Sequence, residues 1–198
     1  MIEEAMIMAN VAVAKFLDEK KIPGIFRVHE TPDPEKIVTV LNMAKALNVP
    51  ADFYPDDVNA KDIQKFLDNI EDETNRDVLS MIALRSMQKA RYDSEDIGHF
   101  GLALEDYTHF TSPIRRYSDL VVHRMLRKYF FDKNADRSKI ASERRKIQKE
   151  AEHISTKERE AITMERLVND YEAARFMEKK IGQHYQGTVV GVANFGFF

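Results

Sequence analysis

The spacing of apolar side chains is the feature that most constrains how this chain can fold. Apolar residues recur every three or four positions through most of the sequence, which is the period of a helix that buries one face. The first such segment starts at Ile2 and stops before Pro23 and Gly24, since both residue types end helices. The second is expected to begin at Pro34, with Asp33 as its N-cap. This spacing predicts a mainly helical fold.

Three further helical regions are expected along the chain. A capping-box-like pattern predicts a helix start at Thr74. Ser112, which a proline follows, is predicted to cap a helix that runs to about Phe131. From 138 to 180 the composition is strongly helical, and a second capping-box pattern at Ser155 predicts two consecutive helices there.

Strand patterns are short. Residues 25–30 form an extended piece after the first helix, and the glycine-rich alternation at 98–104 suits a strand better than a helix. β-branched residues at 185–192 predict another strand close to the last residue. A single strand cannot satisfy its own ladder hydrogen bonds, so we expect the chain to end inside a second domain. The predicted fold class is α+β, mainly helical.

Composition excludes two classes of protein. Of the 198 residues, 43% are apolar and 32% are charged, which does not suit a disordered chain. No apolar run approaches the roughly 20 residues of a membrane span, so we expect no membrane partner. The chain has no cysteine, and its first residues lack the pattern of a secretory signal. We therefore expect a cytoplasmic protein.

The net charge of −3 conceals oppositely charged regions. Residues 52–73 are strongly acidic, whereas 107–128 and 137–149 are basic and contain one acid each. A basic region of this kind is usually a solvated helix face, but it could also line a path for nucleic acid. On the sequence alone both interpretations stay open.

The densest chemistry lies at 107–119, with the sequence YTHFTSPIRRYSD. Arg115 and Arg116 would lie near a helix N-terminus, where positive side chains are electrostatically unfavourable. A negative group should therefore compensate them. It could be Asp119, in ordinary ion pairs, or a bound phosphate, whose oxygens suit a guanidinium and helix N–H groups. The aromatic side chains of this segment could stack on the bases of a single strand or belong to the core.

Standard catalytic patterns are absent from the sequence. It contains no GxxxxGK loop, no HExxH sequence and no cysteine nucleophile, and its six histidines lack zinc-ligand spacing. Asp52, Asp56 and Asp57 could in principle hold Mg²⁺, but a solvated acidic patch is the simpler interpretation. We assign no metal ligand within the chain.

Two adjoining segments carry the most specific pattern of the sequence: HFGLAL at 99–104 and YTHFTSPIRRY at 107–117, continued to Arg124. Together they resemble the signature of the ribonuclease II and ribonuclease R family of exoribonucleases. The same catalytic domain is matched in order by IEEAM at 2–6, FRVHE at 26–30, and the Glu-Arg pairs at 158–159 and 165–166. Residues 184–198 resemble the first strand of the OB-type RNA-binding domain that follows in the family. The resemblance therefore implies a partial catalytic domain at 1–181 and the start of a second domain at 184–198.

This resemblance implies processive 3′-to-5′ hydrolysis of single-stranded RNA to nucleoside 5′-monophosphates, in a Mg²⁺-dependent two-metal reaction. It assigns to Arg115 the catalytic contact with the phosphate near the scissile bond, and it places Arg116 beside it on the RNA backbone. It also gives four weaker candidates for RNA binding: Glu165, one of Glu3 and Glu4 (with Glu4 as the candidate), and Tyr117 and His109 as supports of the RNA channel.

The sequence departs from the family in one respect. The family holds its metals with aspartates early in the catalytic domain, and this sequence has no such cluster. We therefore expect the Mg²⁺ ligands in a missing N-terminal part of the same polypeptide, and we predict that this chain alone hydrolyses no RNA. The alternative is a non-enzymatic module that binds single-stranded RNA or acts as a scaffold. Because an incomplete domain would expose core surface, self-association is also expected.

Overall fold

Helices account for most of the described structure. The computed structural model describes residues 1–132, 135–187, 189 and 192–197. Within them the α-helices are α1 (Ile2–Glu19), α2 (Pro34–Ala46), α3 (Ala60–Asp68), α4 (Glu73–Ser86), α5 (Tyr117–Leu126) and α6 (Ile140–Glu178). The strands are β1 (Phe26–Val28), β2 (Arg91–Asp93), β3 (Val192–Ala193) and β4 (Gly196–Phe197). The predicted fold class, α+β and mainly helical, is confirmed. Contacts divide the chain into two compact units, Met1–Ser155 and Thr156–Phe198.

In the first unit, α2, α3 and α4 share one apolar core. The start of α2 is as predicted, because Pro34 is its first residue and the Asp33 carboxylate accepts the N–H of Glu35 at 3.0 Å. The buried side chains of this core come from all three helices: Ile37, Val40, Ala44, Ile63, Phe66, Leu79 and Ala83. Full burial of each larger side chain contributes about 1.5–3 kcal/mol, so this shared core holds the three helices together.

The start of α4 differs from the prediction. The helix begins at Glu73, and its N-cap is Asp72 rather than Thr74. The Asp72 carboxylate accepts the N–H of Asn75 at 2.7 Å. A carboxylate placed before a helix also interacts favourably with its positive end, and this favours the earlier start.

The sheet of the first unit has two antiparallel strands. Phe26 in β1 pairs with Asp93 in β2, and Val28 pairs with Arg91. The extended piece predicted at 25–30 is thus confirmed. Buried side chains of β1 pack with α1 and α5 in a second core that includes Leu17, Val28 and Val122. This core fixes β1 against α1 and α5.

The prediction of a strand at 98–104 is wrong. Phe100–Leu102 is a single 3₁₀ turn, with isolated bridges from His99 to His29 and to Leu104 on either side. The turn forms because the N–H of Phe100 donates to the His29 carbonyl at 2.9 Å, which draws the backbone toward β1. Ala103 then closes the turn in the left-handed region, with φ of 53°.

The break predicted within 138–180 is also wrong. Helix α6 runs without interruption from Ile140 to Glu178. The Ser155 side chain is buried, and its hydroxyl accepts the N–H of Tyr92 at 2.9 Å while lying 2.8 Å from the Ala151 carbonyl. Ser155 therefore joins α6 to β2 instead of capping a new helix.

The second unit contains the end of α6 and a small hairpin. In this hairpin Val192 pairs with Phe197 and Ala193 pairs with Gly196. Of the strand predicted at 185–192, residues 185–187 and 189 have no regular structure, Val192 begins β3, and the remainder lies outside the described residues. None of the helices that the structure describes is long and apolar enough to cross a membrane.

Candidate functional site

The segment that carries the two arginines is a turn. Pro113, Ile114 and Arg115 form it, and the N–H groups of Arg115 and Arg116 both donate to the Ser112 carbonyl, at 3.2 and 3.1 Å. The helix start predicted at Ser112 and the following proline is therefore wrong, since α5 begins at Tyr117. Helical structure ends near the predicted position, because a π-helical turn at Arg127–Phe131 follows α5.

The buried carboxylate of Asp119 holds this turn in place. Its side chain is fully buried and accepts the N–H of Ser112 at 2.8 Å and the Ser118 hydroxyl at 3.1 Å. It also forms an ion pair with Arg116, whose Nη2 lies 2.9 Å away. The N-cap residue of α5 is Arg116, and no side chain caps this helix within the described residues. The first turn of α5 and the preceding turn are thus tied together by one buried charge.

The two arginines have different environments. Arg116 is 21% exposed and paired with Asp119. Arg115 is exposed, and its side chain makes no hydrogen bond or ion pair with any residue that the structure describes. Ion pairing with Asp119 therefore explains Arg116 alone. The guanidinium of Arg115 remains available for an external anion.

His109 lies in the interior of the site. Its Nδ1 is 2.9 Å from the Tyr92 hydroxyl, and its ring packs edge-on against Tyr92 and Tyr107. Burial, together with the positive charges of Arg116 and Arg27, lowers the pKa of His109 to about 3. His109 is therefore uncharged at neutral pH. Its place among aromatic rings is consistent with a support of the RNA channel, the role that the resemblance implies. That role of His109 stays a prediction.

Two more histidines, His99 and His29, continue this series of ring contacts. We call the rings of His29, His99, Tyr107, His109 and Tyr92 the row of rings. His99 packs edge-on against His29 and Tyr107, with ring centroids 5.1 and 5.4 Å apart. Burial, followed by the charges of His29 and Arg27, lowers the pKa of His99 to about 4. His99, like His109, is therefore uncharged at neutral pH.

His29 is held from both sides. Its Nε2 is 2.8 Å from the Gln88 carbonyl, which only accepts, and its Nδ1 is 3.0 Å from the N–H of Gly101, which only donates. The proton therefore lies on Nε2. A Cβ at position 101 would lie 2.7 Å from His29 Nδ1, so the close approach requires glycine. Sequence reasoning treated these histidines one by one and missed the row, although FRVHE and HFGLAL contain two of its members.

We call residues 113–116, which include both arginines, the arginine turn. A cleft of about 470 Å³ lies between α1 and the arginine turn. It is lined by Ile2, Glu3, Met6, Ile7, Asn10, Leu102, Tyr107, Thr111 and Arg116. Asn10 is buried and joins the two walls, since its amide contacts the Tyr107 hydroxyl at 3.3 Å and accepts the N–H of Phe110 at 3.0 Å. The sequence pattern alone gave no role to Asn10.

The remaining site candidates lie in different surroundings. Glu3 lines the cleft that Arg116 also lines, whereas Glu4 is exposed and paired with the amino group of Met1. Tyr117 is half exposed, and the Arg124 guanidinium lies over its ring. Glu165 is exposed on α6 and belongs to the second unit, whereas the turn and the cleft belong to the first. The functional roles of these residues stay predictions.

The described residues contain no cluster of metal ligands. No group of three or more His, Asp and Glu side chains is placed among them to hold a metal ion. Asp52, Asp56 and Asp57, the carboxylates considered from the sequence, are exposed to solvent. The residues that the structure describes thus do not fit a Mg²⁺ site.

Comparison with known proteins identifies the family of this site. Residues 1–132 of the 198 match the RNB domain. The chain belongs to the RNB-domain family. The matched part of the RNB domain includes the arginine turn, the row of histidine and tyrosine rings, and the cleft.

Curated RNB-domain relatives match over the whole chain. Ribonuclease R 1 of Lactococcus lactis is 39% identical over 198 residues, which cover 100% of this chain and 24% of that protein. Ribonuclease R of Aquifex aeolicus is 39% identical over 197 residues, which cover 100% of this chain and 27% of that protein. The chain therefore spans about a quarter of the length of these relatives.

A solved structure has the same fold. RNase R of Mycoplasma genitalium, in complex with ribose-methylated single-stranded RNA, aligns with a TM-score of 0.91 and 32% identity. The alignment covers 100% of this chain and 31% of that one. The resemblance to bacterial ribonuclease R, drawn from the sequence, is confirmed.

Proposed function

We propose that this chain is the phosphate-contacting part of the catalytic domain of a processive 3′-to-5′ exoribonuclease. The reaction is hydrolysis of single-stranded RNA to nucleoside 5′-monophosphates. The observation that carries the proposal is the exposed guanidinium of Arg115, which is unpaired among the described residues, on a turn fixed by buried Asp119. Its support comes from the match to the RNB domain and from relatives named ribonuclease R.

The chain's own residues explain how a phosphate would be held. The planar guanidinium of Arg115 can donate two parallel hydrogen bonds to phosphate oxygens, which fixes orientation as well as charge. Asp119 holds Arg116 and the Ser112 N–H, so the turn is ordered before RNA binds. A preorganised donor is more effective toward charge that develops in a transition state than a mobile one. Of the two candidate glutamates at the start of α1, Glu3 is the one that lines the same cleft as Arg116.

Mg²⁺ enters the proposal only through the family. When bound, it would supply charge neutralisation at the phosphate and an activated water. No cluster of three or more such ligands occurs among the described residues. The proposal places the ligands in an upstream part of the same polypeptide, and it places the protein in the cytoplasm. An in-frame aspartate cluster in the coding sequence directly upstream would support this view.

RNA binding tests the role of Arg115. We expect anisotropy of labelled oligo(A) to report salt-dependent binding by the chain, and Arg115→Ala to reduce the log–log salt slope by about 0.7, the value for one lost single-strand phosphate contact. Arg85→Ala is the matched control, because Arg85 is also exposed but lies on α4. An equal slope for both variants would contradict the proposed contact. Absence of binding at low salt would favour a scaffold.

Hydrolysis tests the need for a missing part. The chain incubated with labelled oligo(A) and Mg²⁺ is expected to release no nucleoside monophosphate. Turnover that Arg115→Ala abolishes would refute the predicted inactivity while supporting the assignment of Arg115. Binding without turnover, even after an upstream aspartate segment is joined to the chain, would favour the non-enzymatic RNA-binding module.

A further inference from the structure

One face of α5 combines cations with exposed aromatic rings. Tyr117, Leu120, Arg124 and Arg127 recur at helical spacing, and Phe131 follows in the π-helical turn. We call these five residues the α5 stripe. Leu120, His123, Arg124, Arg127 and Phe131 line a hollow of about 600 Å³. None of the described residues that line this hollow is acidic.

The two arginines of the stripe have no anionic partner among the described residues. The Arg127 side chain makes no hydrogen bond or ion pair there, and Arg124 contacts only the Tyr117 ring, with its guanidinium 5.9 Å from the centroid. Cations near a helix C-terminus are favoured by the helix dipole, which could account for the arginines alone. The dipole does not account for the rings, since Tyr117 is 50% exposed and Phe131 is 69% exposed.

The π-helical turn strengthens the case for a binding surface. Arg127 and Phe131 are its first and last residues, and π-helical turns are frequent at functional sites. Tyr129, the middle residue of the turn, is buried in the core with Val122 and Leu17. Its burial anchors the turn. The exposed rings therefore stand on a fixed backbone.

We propose that the α5 stripe binds single-stranded RNA, with Arg124 and Arg127 on phosphates and with Tyr117 and Phe131 against bases. The class of partner rests on the proposed function. Alternating cations and aromatic rings suit single strands because unpaired bases expose their faces for stacking, whereas a duplex hides them. The stripe begins one residue after Arg116, so RNA held at the arginine turn can continue along α5.

A tryptophan reporter tests the base contact. The chain contains no tryptophan, so Phe131→Trp introduces a single reporter in the hollow. We expect oligo(A) to cause a saturable loss of its fluorescence, through stacking. Tyr54→Trp is the control, because Tyr54 is 80% exposed in the acidic segment. Equal loss in both variants, no loss in Phe131→Trp, or the same loss with duplex RNA or polyphosphate would overturn the base contact.

Charge removal tests the phosphate contacts. Arg124→Ala with Arg127→Ala should lower the salt slope for oligo(A) by about 1.4, twice the single-strand value for one phosphate. Lys45→Ala with Arg85→Ala makes the same charge change at exposed positions on α2 and α4 and should leave the slope unchanged.

The outcome for Arg115→Ala separates the two proposals. If Arg115→Ala lowers the slope and the α5 pair does not, the stripe is refuted and the proposed function stands. If the α5 pair lowers the slope and Arg115→Ala does not, the stripe stands and the assignment of Arg115 is refuted.

Discussion

Removal of the Asp119 carboxylate should destabilise the protein far more than the loss of an ordinary ion pair between residues three positions apart. Asp119 is fully buried and holds the Ser112 N–H and the Arg116 guanidinium at 2.8 and 2.9 Å. Breaking a buried ion pair costs about 3–5 kcal/mol, because the remaining charge is left without compensation. Arg116 is 21% exposed and can regain some hydration, so we expect Asp119→Ala to lower the free energy of unfolding by about 3–4 kcal/mol.

Urea unfolding, followed by far-UV circular dichroism and extrapolated to zero denaturant, measures this loss. Asp18→Ala is the matched control, because Asp18 and Lys21 form an ion pair with the same three-residue spacing but are 58% and 70% exposed. An exposed pair of this kind contributes up to about 1 kcal/mol. Asp119→Asn keeps one oxygen for the Ser112 N–H and should lose about 1–2 kcal/mol.

The comparison of these variants decides whether Asp119 fixes the turn. A loss for Asp119→Ala no greater than that for Asp18→Ala would refute the reasoning. A double variant with Arg116→Ala should lose less than the sum of the single variants, since removing both partners leaves no uncompensated charge. Strict additivity would show that Arg116 and Asp119 do not stabilise each other.

Two further predictions concern the row of rings. The pKa of His109, lowered from 6.5 to about 3, implies stability that is complete above pH 6.5 and is lost as the pH falls toward 3, because the unfolded chain binds the proton more tightly. By pH 5 the loss is about 2 kcal/mol. Urea unfolding at pH 7.5 and 5 should show that His109→Gln weakens this dependence, and an unchanged dependence would contradict it. Gly101→Ala should cost about 1–3 kcal/mol because its Cβ would meet His29. Gly187→Ala, which meets nothing within 4 Å, should be near neutral in the same thermal unfolding series, and equal midpoints for both would count against the clash.

Local signals in the sequence were reliable where they act between neighbours. The cap at Asp33 and the proline after it predicted the start of α2, because a side chain two residues away supplies the bond. The apolar period predicted α1 and the mainly helical class for the same reason. Such signals failed where a competing partner lay nearby, as at α4, where Asp72 displaced Thr74 as the cap.

Local patterns in the chain were enough to predict the helical framework, and the long motif between 99 and 124 was enough to indicate the family. Which arginine lacks an ion pair among the described residues depends on the fold, because it requires Asp119 to be buried next to Arg116. Tertiary structure also decided that α6 continues through Ser155, whose hydroxyl meets Tyr92 across 63 residues. The row of His29, His99 and His109 is a further tertiary feature, because His29 meets Gly101 across 72 residues. A hydroxyl or an imidazole can form a hydrogen bond with any donor or acceptor that folding brings within about 3 Å of it. The neighbouring sequence does not specify which group that will be.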